Sequence, residues 1–295
     1  MMGLRIKTNV PSLTGQRRLG ETTSAMTANM EKLSSGQRIN KAADDAAGLA
    51  ISEQLTANIR SMDQAKRNAN DGISMIQVAE GGMNEISNIL VRMRELATQA
   101  ASDTIGNTER SYTNREYTQL VDEIDRIANT TEFNGVKLLG GSDQNDGVSE
   151  LTIHVGAGDG SAENTDTIQF NVDEIQLNAS DVLKLGKESE IGPTDPEDSF
   201  SRETAAEKLS VIDDAIRTVS GNRATLGAKQ SRLNSTINNL SIQVENASVS
   251  RSRIRDVDFA SETATFSQNR ILSQAGTSVL AQAGSIPELA LGLIR

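Results

Sequence analysis

Few side chains in this sequence are of the types that do covalent or metal chemistry. The 295 residues hold one His and no Cys, so disulfides, thiolate metal sites and the Ser-His or Cys-His pairs of most hydrolases are not available. His154 lies in an alternating segment with no second His, which argues for a strand residue directed at solvent rather than a transition-metal ligand. Gly156, Gly158 and Gly160 follow that segment as a phosphate loop would, but no Lys-Ser/Thr comes after them and the next residues, SAENTD, do not open a helix. The run SDQNDG from Ser142 resembles a calcium loop until it is counted. With Gly147 in the sixth place, Ser142 and Gln144 stand where such a loop wants Asp or Asn. The paired carboxylates Asp44-Asp45 and Asp213-Asp214 are sequence neighbours, and neighbours on a helix do not converge on one reacting atom. The reading is of a chain that is not an enzyme, with no catalytic residue, no cofactor and no metal site.

Composition narrows the class further. With 29 Lys+Arg against 40 Asp+Glu the formal charge is -11, which disfavours nucleic acid as a partner. The charge is uneven: residues 140–200 hold 14 acidic and 2 basic residues, and the remainder of the chain is close to neutral. A hydrated acidic middle flanked by terminal parts able to pack together is expected from that split. Aromatic residues make up 2% of the chain beside 36% hydrophobic residues, so the core must be built from Leu, Ile, Val, Met and Ala, the residues of helix seams. The start, MMGLRIKTNVPSL, has no apolar signal-peptide region, and no stretch reaches the ~20 apolar residues of a membrane span. Neither an ordinary cleaved signal nor membrane insertion is expected.

The elements follow from proline and periodicity. Proline stands only at positions 11, 193, 196 and 287, leaving two long stretches open to helix. From Ile51 to Ala100 apolar or small residues recur at spacings of four and three, interrupted at Asn58 and Gly72. At 1.5 Å per residue that seam is roughly 75 Å long and needs a partner of similar length. A matching seam runs from Leu209 to Ile254, broken by Arg223, Gln230 and Arg251, so the two long helices should lie antiparallel as a rod. A third, shorter seam passes through Tyr117, Leu120, Ile124 and Ile127. Between the long helices the period changes to two in LTIHV (151–155) and TIQFNV (167–172), and Asn134-Gly135 favours a tight turn. Both chain ends are amphipathic, through Leu19, Met26, Met30 and Leu33 at one end and Leu272, Ala275, Val279, Ala283 and Ile286 at the other. Neither has an evident partner in the chain, so each is expected to order against a sister subunit.

Two blocks at each end carry a family resemblance. LSSGQRINKAADDAAGLAI (33–51) and QAKRNANDGISMIQVAEGGMNEISNILVRMRELATQAA (64–101) resemble the N-terminal signature of bacterial flagellins. DVDFASETATF (256–266) and ILSQAGTSVLAQAGSIPELALGLIR (271–295) are similar to the flagellin C-terminus, the final Leu-Ile-Arg included. The resemblance implies a subunit that polymerises into the extracellular flagellar filament, exported unfolded by the flagellar type III apparatus. Implied partners are further copies of the chain, an export chaperone, the filament cap and hook-associated proteins. Polymerisation would fall to the terminal helices, through Leu19, Met26, Met30, Leu33, Leu272, Val279, Ile286 and Leu293. By motif position Arg92, Leu96 and Glu116 match residues through which a host innate immune receptor recognises flagellins. A hook-filament junction protein and a filament-displayed adhesin are the alternative readings.

The expected fold is mainly α, a coiled-coil-like helical rod with a small β-hairpin element and amphipathic terminal helices. Its expected parts are an N-terminal core helix and connecting segment (1–45), the N-terminal helical part of a rod domain (46–139), an acidic β-rich part with little or no outer domain (140–200), a C-terminal rod helix (201–255) and a C-terminal core helix (256–295).

Overall fold

The structure, a computed structural model, describes residues 8–141, 145, 149–156, 158, 166–179, 182–185, 191–192 and 202–292. In chain order these form α1 (Val10–Ser35), α2 (Ala46–Ala100), α3 (Asn107–Thr130), β1 (Glu132–Phe133), β2 (Val136–Lys137), β3 (Glu150–His154), β4 (Thr167–Asn171), α4 (Val172–Ile175), α5 (Arg202–Arg255) and α6 (Phe259–Gly292). The fold is mainly α, as the long seams require. Two compact units are present, residues 60–244 and residues 1–59 with 245–295, and α2 and α5 contribute to both.

In the unit 60–244, α2 and α5 run antiparallel. Arg94 Nε reaches Asp213 Oδ1 at 2.7 Å, and further along Arg223 faces Glu80 at 3.6 Å. The seam residues Met83, Ile86, Leu90 and Met93 of α2 and Ile212, Val219 and Leu226 of α5 are buried in one core, joined by Tyr117 and Ile124 of α3. Gly72, which interrupts the apolar pattern, has a packing reason: a side chain there would run into Ile153 of β3 and touch Leu233 of α5. Arg110 of α3 closes the end of α2, donating from Nε to the Ala100 carbonyl (2.9 Å) and from Nη2 to the Ser102 carbonyl (3.0 Å). Those carbonyls have no partner in the helix ladder, and the buried guanidinium satisfies them.

The β part consists of two hairpins. β1 and β2 pair across Asn134-Gly135, with φ of 53° and 80°, the two left-handed residues that a two-residue hairpin turn demands. β3 and β4 pair antiparallel with Leu151 opposite Phe170 and Ile153 opposite Ile168. Each strand ends one residue before the alternating pattern does. Val172 instead opens α4, capped by the Asn171 side chain, which accepts from Asp173 N at 2.9 Å. His154 is half-buried, and its carbonyl accepts from Asn68 Nδ2 at 3.0 Å. Of the run 142–147 only Asn145 is described, and Gly160 also lies outside the described residues.

Candidate assembly surface

The terminal helices meet within the unit 1–59 with 245–295. α1 starts cleanly because Asn9 caps it, its side chain accepting from Ser12 N at 3.1 Å, and because Pro11 falls in the first turn, where no helical donor is lost. It stops at Gly36, whose φ of 70° is the left-handed C-cap. There the chain bonds to the break between α5 and α6. Arg38 N donates to the Arg255 carbonyl (2.6 Å), Val257 N to the Gly36 carbonyl (3.1 Å), and Arg255 Nε to Gln37 Oε1 (3.0 Å). Asp258 then caps α6 by accepting from Ala260 N at 3.0 Å.

From this junction α1 and α6 run antiparallel. Gly15 lies against Leu280, Gly276 against Leu19, and Asn9 Nδ2 donates to the Ala283 carbonyl at 2.7 Å. The less exposed positions of α1 repeat at alternating three and four, through Ser12, Gly15, Leu19, Thr22, Met26, Asn29 and Leu33, and those of α6 do the same through Phe266, Asn269, Ser273, Gly276, Leu280 and Ala283. This is a heptad seam, with a polar position in its interior. With its amide turned to satisfy its neighbours, buried Asn29 donates to Glu262 Oε1 (3.1 Å) and accepts from Asn269 Nδ2 (3.2 Å). The expectation that the two ends lack partners in the chain is therefore corrected: they pair with each other. Small residues on one face of each helix let the backbones approach, a signal that a search for large apolar residues passes over.

The eight residues expected to polymerise divide accordingly. Leu19, Met26 and Leu33 are spent on the seam, whereas Met30, Leu272 and Val279 stand outside it, at least half exposed. Ile286 belongs to α6, though its side chain lies outside the described residues, as does Leu293 altogether. Val10, Leu13, Phe259 and Ile271, none of them singled out by periodicity, join the outer set, so that seven large apolar side chains on α1 and α6 are 49–65% exposed. One flank of the pair is an apolar groove of about 660 Å³ whose floor is Gly15 and Gly276 and whose walls include Val10, Leu272 and Val279.

In the other unit, Arg92 and Glu116 come together. Arg92 donates from Nε and Nη2 to Glu116 Oε1 (3.0 and 2.9 Å) and from Nη1 to Glu95 Oε2 (3.0 Å). The hydrogen bond to Glu116, then that to Glu95, raises the guanidinium pKa above its ordinary value. Leu96 does not join them at the surface: only 2% exposed, it is part of the core.

Comparison with known proteins places this geometry. Residues 6–144 match the bacterial flagellin N-terminal helical region and residues 209–294 the bacterial flagellin C-terminal helical region. A flagellin of Halalkalibacterium halodurans is 42% identical over 98% of this chain and 99% of its own. The flagellar filament 33 kDa core protein of Treponema phagedenis is 39% identical over 98% of this chain and 99% of its own. A solved structure of a putative flagellar hook-associated protein from Vibrio parahaemolyticus shares the fold, with a TM-score of 0.60 at 16% identity, covering 72% of this chain and 100% of that one. Near-complete coverage in both directions favours the filament subunit over the junction protein. The chain belongs to the bacterial flagellins, the structural subunits of the extracellular flagellar filament.

Proposed function

We propose that this flagellin polymerises through the outer apolar face of the α1–α6 pair. The observation that carries the proposal is the set of seven large apolar side chains left half exposed on two helices whose seam is already filled. Such a concentration of apolar surface marks an interaction site, and a chain whose family builds filaments offers copies of itself as the partner. Leu272, Val279 and Met30 contribute directly and Leu19, Met26 and Leu33 by holding the pair together, with Ile286 and Leu293 completing the proposed set. Export in an unfolded state with a dedicated chaperone, addition beneath a filament cap and attachment to hook-associated proteins complete the reading.

Seeded assembly of the full chain and of a chain ending at Ala260 tests it, followed by light scattering and electron microscopy. The full chain forms filaments and the truncated chain does not. Equal assembly by both overturns the role given to α6.

The half-exposed Arg92–Glu116 pair supports a second contact, with a host innate receptor. Arg92→Ala and Glu116→Ala are expected to weaken receptor activation at least tenfold while filaments still form. Unchanged activation overturns that role.

A further inference from the structure

The sequence holds a single Asn-Gly pair, Asn134-Gly135, and the fold sets it at the tip of the β1–β2 hairpin with both residues exposed. Asparagine before glycine is the pair most prone to close on itself, because glycine has no Cβ to shield its nitrogen. In that reaction a bond forms from the Gly135 amide nitrogen to Asn134 Cγ. The Cγ–Nδ2 bond breaks, and ammonia leaves with the proton that the glycine nitrogen has lost. Water then opens the five-membered imide. Its attack at Cγ leaves aspartate, and its attack at the main-chain carbonyl leaves isoaspartate, in which the chain runs on through the side-chain carbons. Water is the only co-reactant, and both residues face it.

The hairpin holds the pair in the geometry least suited to this step. The φ of Asn134 is 53°. For a residue with a Cβ that value belongs to the left-handed region, where ψ is roughly +30 to +60°. There the Gly135 nitrogen stands nearly opposite Cβ about the Cα–C bond, whereas ring closure needs the two nearly eclipsed. The pairing on both sides of the turn resists the rotation that would bring them together. Phe133 pairs with Val136 and Glu132 with Lys137, and Leu138 N donates to the Thr131 carbonyl at 3.0 Å. From the other edge of β2 the Asn145 side chain accepts from Lys137 N (2.8 Å) and donates to the Lys137 carbonyl (2.6 Å).

We infer that Asn134 is a modification site that folding closes: it deamidates while the chain is unfolded, and the isoaspartate formed there keeps the hairpin from closing again. The added main-chain carbon falls between Phe133 and Val136, where a two-residue turn sets the register. A shift there displaces Leu138 and Leu139, which follow at once and are fully buried, and with them the contact that Leu139 and Thr131 make at Gly82 of α2.

The test incubates the full chain at mildly alkaline pH, folded in buffer and unfolded in guanidinium chloride, and follows each asparagine by peptide mass spectrometry and isoaspartate-specific methylation. Asn234, which precedes Ser235 within α5, serves as the internal reference. In denaturant Asn134 should convert ahead of Asn234, and Gly135→Ala should remove that lead. In the folded chain conversion of Asn134 should be at least ~10-fold slower, since it waits on local opening of the turn. Chains carrying isoaspartate, once returned to buffer, should show a lower urea midpoint than unmodified chains by tyrosine circular dichroism. Equal rates in the folded and unfolded chain, or a lead by Asn234 in denaturant, overturn the site; an unchanged midpoint overturns its consequence for the hairpin.

Discussion

Two adjacent glycines in α2, Gly81 and Gly82, are placed so differently that the same substitution should have opposite signs. A methyl group at Gly81 meets nothing within 4 Å, so Gly81→Ala gains only the helix preference of alanine, about 1 kcal/mol. At Gly82 the added carbon would lie 2.7 Å from Thr131 Oγ1, 2.9 Å from Leu139 Cδ1 and 3.2 Å from Thr131 Cγ2. Neither neighbour can move cheaply. Thr131 Oγ1 donates to the Ile127 carbonyl at 2.7 Å, its branched side chain has few alternative rotamers, and Leu139 is fully buried. Overpacking of this kind costs about 1–3 kcal/mol, and rotating Thr131 forfeits a hydrogen bond worth about 1 kcal/mol. Set against the same ~1 kcal/mol of helix preference, Gly82→Ala should lose about 1–3 kcal/mol, so the two variants differ by about 2–4 kcal/mol. Urea unfolding followed by tyrosine near-UV circular dichroism measures this in the right unit, because Tyr117 is buried there and the chain has no Trp and one other Tyr. The midpoint should rise for Gly81→Ala and fall for Gly82→Ala with an unchanged slope. Midpoints that move together by similar amounts would show that helix preference alone governs both sites, and the packing around Thr131 and Leu139 would have to be abandoned.

Other substitutions probe the same unit by different physics. Leu90→Ala empties space in the fully buried seam and should cost about 2–5 kcal/mol in urea unfolding, whereas Val91→Ala, at a half-exposed position, should stay within about 0.5 kcal/mol. Arg110→Ala strands the carbonyls of Ala100 and Ser102 and should cost about 1–3 kcal/mol; Arg110→Lys should recover only part, since an ammonium cannot reproduce the fork. The side-chain bond from Arg94 holds the Asp213 carboxyl below its ordinary value of 3.8. A folded value below the unfolded one means that the stability it adds is complete above the unfolded value and is lost as pH falls from there through the folded value. Urea midpoints measured down through about pH 3 should therefore fall less steeply for Asp213→Asn than for the parent chain, and parallel curves would exclude the linkage.

How much of this was legible depends on what kind of contact an element makes. The α2 and α5 seams could be read because a long helix packed on one side writes its period in large apolar residues, Met83 to Met93 against Ile212 to Leu226. β3 and β4 could be read because one face is buried: Ile168 and Phe170 alternate with exposed Gln169. The closing of α2 by Arg110 left no pattern, since a guanidinium bonded to backbone carbonyls depends on a tertiary approach that spacing does not encode. The α1–α6 pairing was hidden for a different reason. Its contact face interleaves Leu19, Met26, Leu33, Phe266 and Leu280 with Gly15, Gly276, Ser273, Ala283 and Asn29, whereas on α6 the large residues that announce an apolar stripe, Leu272 and Val279, point elsewhere. The sequence reading ran seam residues such as Leu19, Met26 and Leu33 together with outer residues such as Met30, Leu272 and Val279 as one stripe. The burial of Leu96 was not legible either, because a motif position carries no information about burial.

The same two-faced arrangement sets an energetic order between pairing and assembly. The seam of α1 and α6 buries few large apolar side chains, Leu19, Met26, Leu33, Phe266 and Leu280, and none of them reaches full burial. A pair of helices held by so little is close to marginal, because ordering each residue costs about 1–2 kcal/mol of conformational entropy. Covering the seven half-exposed side chains outside the seam would add roughly half of the ~1.5–3 kcal/mol that full burial of each gives, on the order of 5–10 kcal/mol per copy. Most of the stability of the terminal helices should then come from neighbours and little from each other. Hydrogen exchange tests this directly: amides of α1 and α6 should exchange at least ~10³-fold more slowly in filaments than in dilute monomer. Amides around Met83–Met93 should change far less, because their core is complete within one copy. If α1 and α6 are as protected in the monomer as in the filament, the seam is strong enough by itself, and the exposed apolar face loses its claim to be what orders them.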